Sequence, residues 1–216
     1  MFCCAAALVW VSSAEIIDRI AVSVGASVIT STEIDREIRV TALINGAKPD
    51  LGPASRRATA ERLIDQSLIR HELDLSHYPI PDAAAAEPLL AQFRKTRFPD
   101  DAAFHQKLTD YGITEQDLKD ELLWQQVLLR FIEVRFRPAV DVTDKDIENY
   151  FDDVVRPAAI AAKPNQPVSI DDFRSQIEER LVGDRADQEL NRWLRDTRLR
   201  TEIVYQDSAL APQVTP

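Results

Sequence analysis

Two short segments of alternating apolar and polar residues lie near opposite ends of this chain. Residues 20–24 alternate, Gly25 follows them, and residues 27–30 return along the same pattern. Residues 201–206 alternate in the same way. A period of two residues is typical of a half-buried strand, and glycine adopts the positive φ of a tight hairpin turn. We therefore predict a small antiparallel sheet that joins an N-terminal hairpin to a C-terminal strand.

Between these segments, apolar residues recur three or four positions apart, which is the spacing of one face of a helix. The pattern predicts helices over about 32–45, 54–75, 82–97, 100–108, 114–136, 143–151 and 169–200. Ser31 or Thr32, Thr114, Thr143 and Ser169 are the residue types that cap helix N-termini. The helix over 114–136 is apolar on two sides, so we expect it at the centre of a bundle. The predicted fold class is mainly α, a helical bundle with a small antiparallel sheet.

Three further features bear on how the chain is organised. Residues 156–168 contain three prolines and no clear periodicity, which predicts an irregular linker. Gly183 leaves open whether the final helix is continuous, because glycine weakens a helix interior. Residues 207–216 look like a flexible tail.

The N-terminal residues are typical of a secretory signal. An apolar run over residues 1–11 is followed by the small residues 12–14, although no basic segment precedes the run. Cleavage after Ala14 would leave a mature protein without Cys3 and Cys4, which suits an oxidising compartment. A buried N-terminal helix is the alternative.

The composition disfavours several classes of function. A formal charge of −10 disfavours nucleic acid as a partner, because phosphate binding needs a basic patch. His71, His77 and His105 lack a second histidine or cysteine at metal-ligand spacing, and no nucleotide-binding or nucleophile motif is found. The carboxylates cluster at helix starts and on exposed faces, where capping and solvation explain them. We therefore expect no enzyme, no cofactor and no metal.

Four aromatic residues form the candidate binding surface. Phe93, Phe98, Phe104 and Tyr111 lie in short helices that cannot each bury a large face. One interpretation is a local hydrophobic core. The other is the wall of an apolar groove that binds extended or unfolded polypeptide.

The order of the elements resembles the SurA-type periplasmic chaperones. The hairpin segment Ile17–Asp35 resembles the start of their N-terminal domain, and Glu61–Ile69 resembles its second helix. Ile113–Phe136 resembles the long central helix, and Val142–Phe151 is similar to the element that leads into the isomerase domain. Trp193–Tyr205 resembles the C-terminal helix and strand that complete the N-terminal domain.

The resemblance implies one chaperone core formed by residues 15–155 and 169–206. Relatives carry a parvulin-type prolyl isomerase domain where this chain has only residues 156–168. The resemblance therefore implies an ATP-independent periplasmic chaperone without isomerase activity, whose clients are unfolded outer-membrane proteins. It implies no cofactor and no stable membrane insertion. Two alternatives stay open: an enzyme with residual prolyl isomerase activity, and an assembly module that forms a homodimer by exchanging its C-terminal helix.

Overall fold

The computed structural model describes residues 18–162 and 167–212. These residues form a mainly helical bundle with one small antiparallel sheet, which confirms the predicted fold class. The predicted signal segment, residues 1–14, lies outside the described residues. Within the described part of the chain, every helix is too short or too polar to cross a membrane.

The sheet joins the two ends of the described chain, as predicted. Strands β1 (Ile20–Val24) and β2 (Ser27–Thr30) form a hairpin whose turn contains Gly25 at φ 54°. Strand β3 (Ile203–Tyr205) pairs antiparallel with the other edge of β1, so the strand order is β2-β1-β3. The amide of Gly25 also donates to the carbonyl of Glu202 at 2.8 Å. The first and last described segments thus share one hydrogen-bonded sheet.

The helices follow the predicted order, with α7 as an addition that the sequence analysis did not predict. They are α1 (Ser31–Asn45), α2 (Pro53–Leu75), α3 (Ala86–Arg97), α4 (Asp101–Tyr111), α5 (Glu115–Arg135), α6 (Asp144–Tyr150), α7 (Arg156–Ala162) and α8 (Arg174–Arg200). Short 3-10 turns precede α3, follow α5 and precede α8.

Capping side chains mark the starts of four of the helices in the described residues, α1, α4, α5 and α6. We expected Ser31 or Thr32 to cap α1, but the N-cap is Thr30, whose backbone is still extended. Its hydroxyl accepts from the amide of Glu33 at 3.2 Å, and both predicted residues lie inside the helix. The predicted threonine caps of α5 and α6 are confirmed, each with an aspartate completing a capping box.

The main core lies between the sheet and helices α1, α2, α5 and α8. Phe131 of α5 is fully buried at its centre. Its ring centroid lies 5.4 Å from that of Tyr78, 5.5 Å from that of Phe136 and 5.8 Å from that of Trp193. These rings come from the loop after α2, the end of α5 and helix α8. The central place predicted for α5 is therefore confirmed, although Leu129, on the other side of this helix, is 57% exposed.

The C-terminal residues after β3 are packed, which corrects the prediction of a flexible tail for the described residues 207–212. The amides of Gln206 and Asp207 both donate to the carbonyl of Ala21, at 2.9 and 3.1 Å. Leu210 is only 2% exposed and belongs to the main core. Its apolar side chain, placed by the turn after β3, is the reason that this segment is ordered.

An ionic network fastens the end of α8 to α2. The guanidinium of Arg198 donates to the carboxylates of Asp65 and Glu61, each at 2.7 Å. The hydroxyl of Tyr205 donates to the same Glu61 at 2.6 Å. Burial, together with this contact, raises the pKa of Tyr205 to about 12. Arg198 lies just before β3 and Tyr205 lies within it, so the network helps to hold β3 in place beside β1.

Residues 156–162 are helical rather than irregular, which corrects part of the predicted linker. Helix α6 continues through a π-helical turn, Phe151–Val155, into α7. Pro157 has no amide hydrogen and clashes with the carbonyl four residues before it, so regular α-helical bonding fails there. The amide of Arg156 instead donates to the carbonyl of Phe151, five residues back. The wider turn accommodates the proline without ending the helix.

Helix α8 is continuous from Arg174 to Arg200, which answers the question left open at Gly183. Ser169 caps the preceding 3-10 turn and not α8 itself. The first half of α8 packs on α6 through Ile177, and its second half packs on the main core through Leu194. One helix therefore connects the α6 region to the rest of the bundle.

Gly183→Ala is expected to stabilise the protein by about 1 kcal/mol, because alanine loses less backbone entropy than glycine in a helix interior. A Cβ atom at this position would meet no atom within 4 Å outside its own helix. Urea denaturation followed by circular dichroism measures the change. Gly112→Ala is the matched control and should destabilise, because Gly112 ends α4 with φ 62°. A destabilised Gly183→Ala variant would contradict a continuous α8.

Candidate functional site

The four aromatic residues predicted to form a groove lie together, but they mainly form a second hydrophobic core. Phe104 is fully buried, so its side chain is not accessible to a bound polypeptide. The ring of Phe98 lies against it, with centroids 5.4 Å apart, and Phe93 packs on Phe98 at 6.0 Å. Tyr111 packs on the same cluster and donates to the carbonyl of Ala47 at 2.6 Å. The local-core interpretation therefore describes Phe104, while the other three side chains are partly buried.

The histidines give no sign of a metal centre. His71, His77 and His105 are all exposed and lie on separate elements. Among residues 18–162 and 167–212, no three histidine, cysteine, aspartate or glutamate side chains are arranged to hold a metal ion.

A cleft between helices α1, α2 and α5 is the candidate functional site. It has a volume of about 390 Å³ and is open to solvent on one side. Its lining residues are Glu33, Arg36, Glu37, Val40, Leu63, Gln66, Arg70, Leu73, Asp74, Ile80, Asp117, Asp120, Glu121, Leu123, Trp124 and Val127. They follow one face of each helix, because their spacing is three or four residues. The cleft is about 15 Å long at 1.5 Å per residue along α5, which suits about five residues of extended chain.

The floor of the cleft is apolar. Leu63, Trp124 and Val127 are buried members of the main core and form this floor. The guanidinium of Arg70 lies over the Trp124 ring, 4.2 Å from its centroid. Ile80, in the loop after α2, is 38% exposed where it lines the cleft. The floor is part of the main core, so the packing of α1, α2 and α5 shapes the cleft.

The walls carry more negative than positive charge. Six of the lining residues have carboxylates and two have guanidinium groups. Two of these carboxylates, Glu33 and Asp117, are held in the capping boxes of α1 and α5. Asp117 also pairs with Arg36 at 3.5 Å. Glu33 and Asp117 therefore stabilise helix starts. The carboxylates farther along the helices are the ones that can contact a ligand.

Glu121 has the most perturbed carboxyl group in the cleft. Burial, and then the negative charge of Glu37, raise the pKa of Glu121 from its ordinary 4.5 to about 7. An amide hydrogen of Gln125 donates to Glu121 at 2.9 Å, and Arg62 and Arg70 favour its charged form by smaller amounts. The charged form of Glu121 is therefore costly in the cleft at neutral pH.

Glu121→Gln is expected to stabilise the protein at pH 8 by about 1–2 kcal/mol, a discounted figure because water reaches an open cleft. The folded-state pKa lies above the unfolded value, so folded Glu121 binds its proton more tightly than unfolded Glu121. The contribution of Glu121 to the stability of the parent protein thus falls as pH rises from about 4.5 to about 7, and is least favourable above pH 7. The gain should nearly vanish at pH 4. Urea denaturation at pH 8 and pH 4 measures the change in the free energy of unfolding. Glu148→Gln, at an exposed carboxylate, is the control. An equal stabilisation by Glu121→Gln at both pH values would contradict the raised pKa.

Sequence reasoning missed this cleft. The sequence explains the carboxylates by capping and solvation, and the apolar residues of α5 by packing in the core, which is correct for the ring of Trp124. One signal was available: Asp117, Asp120, Glu121 and Trp124 recur on a single face of α5. A helix face that mixes carboxylates with tryptophan is not a simple packing face. The contributions of α1 and α2 depend on tertiary contacts that the spacing does not reveal.

A second, more apolar cavity of about 560 Å³ lies between α7 and the turn before α8. Val155, Ala159, Val168 and Phe173 are among its lining residues. Residues 163–166, which join its two sides, lie outside the described part of the chain. We therefore assign it no role.

The chain was compared with protein families and with curated proteins. No protein-family model matches the chain, and no curated protein is similar to it at a significant level. The resemblance to SurA-type chaperones therefore stays a hypothesis, and the function has to be argued from the cleft.

Proposed function

We propose that this protein is an ATP-independent periplasmic chaperone that binds unfolded polypeptides, outer-membrane proteins among them, without prolyl isomerase activity. The observation that supports this most is the open cleft, with its apolar floor and charged walls. An unfolded chain presents apolar side chains that gain from leaving water, and the floor provides a surface for them. The family resemblance adds the expectation of periplasmic clients.

The size and openness of the cleft favour transient binding. About five extended residues would contact the floor, and the rest of the client would stay in solvent. Binding also costs translational freedom and the ordering of a flexible segment, so a short contact of this kind is weak. A client held by weak contacts dissociates without ATP, and a carrier of unfolded chains requires such dissociation. The net charge of −10 makes copies of the protein repel each other, which limits co-aggregation with clients.

Aggregation assays test the proposal directly. A β-barrel outer-membrane protein diluted from urea should scatter less light in the presence of a near-stoichiometric amount of this protein. Ile80→Asp, which places a charge at the apolar edge of the cleft, should weaken the protection several-fold. The matched control is Ile160→Asp on α7, outside the cleft, where the parent side chain is similarly exposed at 48%. Absence of protection for several different clients would refute the proposal.

Two other functions remain distinguishable by experiment. Turnover in a proline-isomerisation assay, retained through a second purification step, would favour an enzyme. A molar mass that doubles with concentration would favour the assembly module that exchanges α8 between two copies. We favour the chaperone because the cleft lies among α1, α2 and α5 and needs neither a catalytic group nor a second copy.

A further inference from the structure

We propose that the cleft selects extended segments in which a lysine or arginine lies among apolar residues, with the cationic group seated between Glu37 and Glu121. The inference rests on the proposed function, because it names the class of polypeptide that the same cleft binds. It is carried by the cleft's geometry, its apolar floor and the charge of its walls.

The charge of the walls complements a cation. Carboxylates outnumber guanidinium groups by six to two in the lining, so the cleft attracts positive and repels negative segments. An unfolded segment that carries glutamate or aspartate would place like charges together in a partly desolvated site. Such a contact lowers the affinity of the cleft for the segment even when its apolar residues contact the floor.

Glu37 and Glu121 are the two carboxylates best placed to hold that cation. Both line the cleft, Glu37 from α1 and Glu121 from α5, and the charge of Glu37 raises the pKa of Glu121. Glu37 is itself only 11% exposed, pairs with Arg62 at 3.5 Å and accepts from the hydroxyl of Thr41 at 3.2 Å. For Glu121, the charge of Arg62 offsets less than burial and the repulsion by Glu37 cost. A cation between the two carboxylates would relieve the repulsion that the protein itself leaves in place.

The floor suits the rest of such a side chain. Lysine and arginine have apolar stems that lie along hydrophobic surface while their charged ends reach polar groups. The Trp124 ring already supports the guanidinium of Arg70 at 4.2 Å, which shows that this part of the cleft accommodates a cation over an aromatic face. Leu63 and Val127 provide apolar surface for the neighbouring residues of the segment.

Three labelled nonapeptides test the inference by fluorescence anisotropy. In each peptide valine alternates with one polar residue, which is lysine in the first peptide, serine in the second and glutamate in the third. At low salt the lysine peptide should bind about tenfold more tightly than the serine peptide, a difference of about 1.4 kcal/mol. The glutamate peptide should bind less tightly than the serine peptide. In Glu37→Gln/Glu121→Gln the lysine peptide should lose most of its advantage over the serine peptide, whose own affinity should not change.

A matched double variant controls for net charge. Glu148→Gln/Glu178→Gln removes two exposed carboxylates outside the cleft and should leave all three affinities unchanged. Unfolding of the cleft variant would not imitate the expected result, because the serine peptide must still bind to it.

Proton release gives a second readout. Glu121 is partly protonated near pH 7, where it faces Glu37 from α1 and Arg62 and Arg70 from α2. A bound ammonium should make Glu121 release its proton, which isothermal titration calorimetry detects as heats that depend on the buffer. The serine peptide, or the lysine peptide with Glu121→Gln, should release fewer protons.

The outcomes separate this inference from the proposed function. Protection of clients together with equal affinities for the lysine and serine peptides would overturn the inference and leave the chaperone proposal standing. Loss of the preference in the control double variant would also overturn it, because the selection would then reflect net charge. Absence of both client protection and peptide binding would overturn both proposals.

Discussion

A chain that ends after Arg200 is expected to lose most of its folding stability. It would lack β3, which pairs with the central strand β1, and the buried Leu210. It would also lack the Tyr205 hydroxyl that donates to Glu61. Burial of a leucine stabilises by about 2–3 kcal/mol and each lost hydrogen bond costs about 1 kcal/mol, so the loss should reach at least about 4 kcal/mol. Small domains are stable by only about 5–15 kcal/mol.

Thermal and urea unfolding followed by circular dichroism measure this effect. Single substitutions keep the test informative if the truncated chain fails to fold. Leu210→Ala should destabilise by about 2–4 kcal/mol, because it leaves a cavity in the main core. Val204→Ala, at a β3 position that is 38% exposed, should cost less than about 1 kcal/mol. An unchanged unfolding transition in the truncated chain would show that the two ends do not pair.

Phe131→Ala is expected to destabilise the protein by about 4 kcal/mol, since a large buried ring is replaced by a cavity. The variant also loses edge-to-face contacts with Tyr78, Phe136 and Trp193, which hold together the loop after α2, helix α5 and helix α8. Urea denaturation measures the change. Leu129→Ala lies on the same helix at a side chain that is 57% exposed, and should change stability by less than about 0.5 kcal/mol. Equal effects of the two substitutions would contradict the central place of Phe131.

The elements that were correctly predicted depend on local signals. Gly46 and Gly112 end helices with φ values of 66° and 62°, which few other residues adopt. Thr114 and Thr143 begin helices because their side chains bond to the backbone three residues on. The C-terminal strand was predicted over residues 201–206 from alternation, and the structure forms it at Ile203–Tyr205, paired with β1.

The features that were not predicted depend on tertiary contacts. Leu210 alone in a polar segment gives no periodic pattern, and only the turn after β3 brings it into the core. Helix α7 contains Pro157, which normally marks a helix end, and here a π-helical turn accommodates it. The cleft depends on tertiary contacts, since the burial of Glu121 comes from helices far away in the sequence. The predicted aromatic surface failed at Phe104 for the opposite reason, because neighbouring helices cover it.

The cleft changes how the proposed chaperone would work. An aromatic groove would select clients by apolar contact alone, whereas this cleft combines an apolar floor with carboxylate walls. Affinity would come from the floor, and selection and rapid association from the walls. Binding should therefore weaken as salt is added, because ions screen the attraction between exposed charges.

Site-specific photo-crosslinking to an unfolded β-barrel client tests the central claim most directly. A photoreactive phenylalanine analogue would replace, one at a time, Ile80 and Asp120 in the cleft, Phe93 on the aromatic cluster and Ile160 on α7. Strong crosslinks from positions 80 and 120, with weak ones from 93 and 160, are the expected result. Crosslinks from 93 or 160 without any from the cleft positions would contradict the claim that the cleft binds the client.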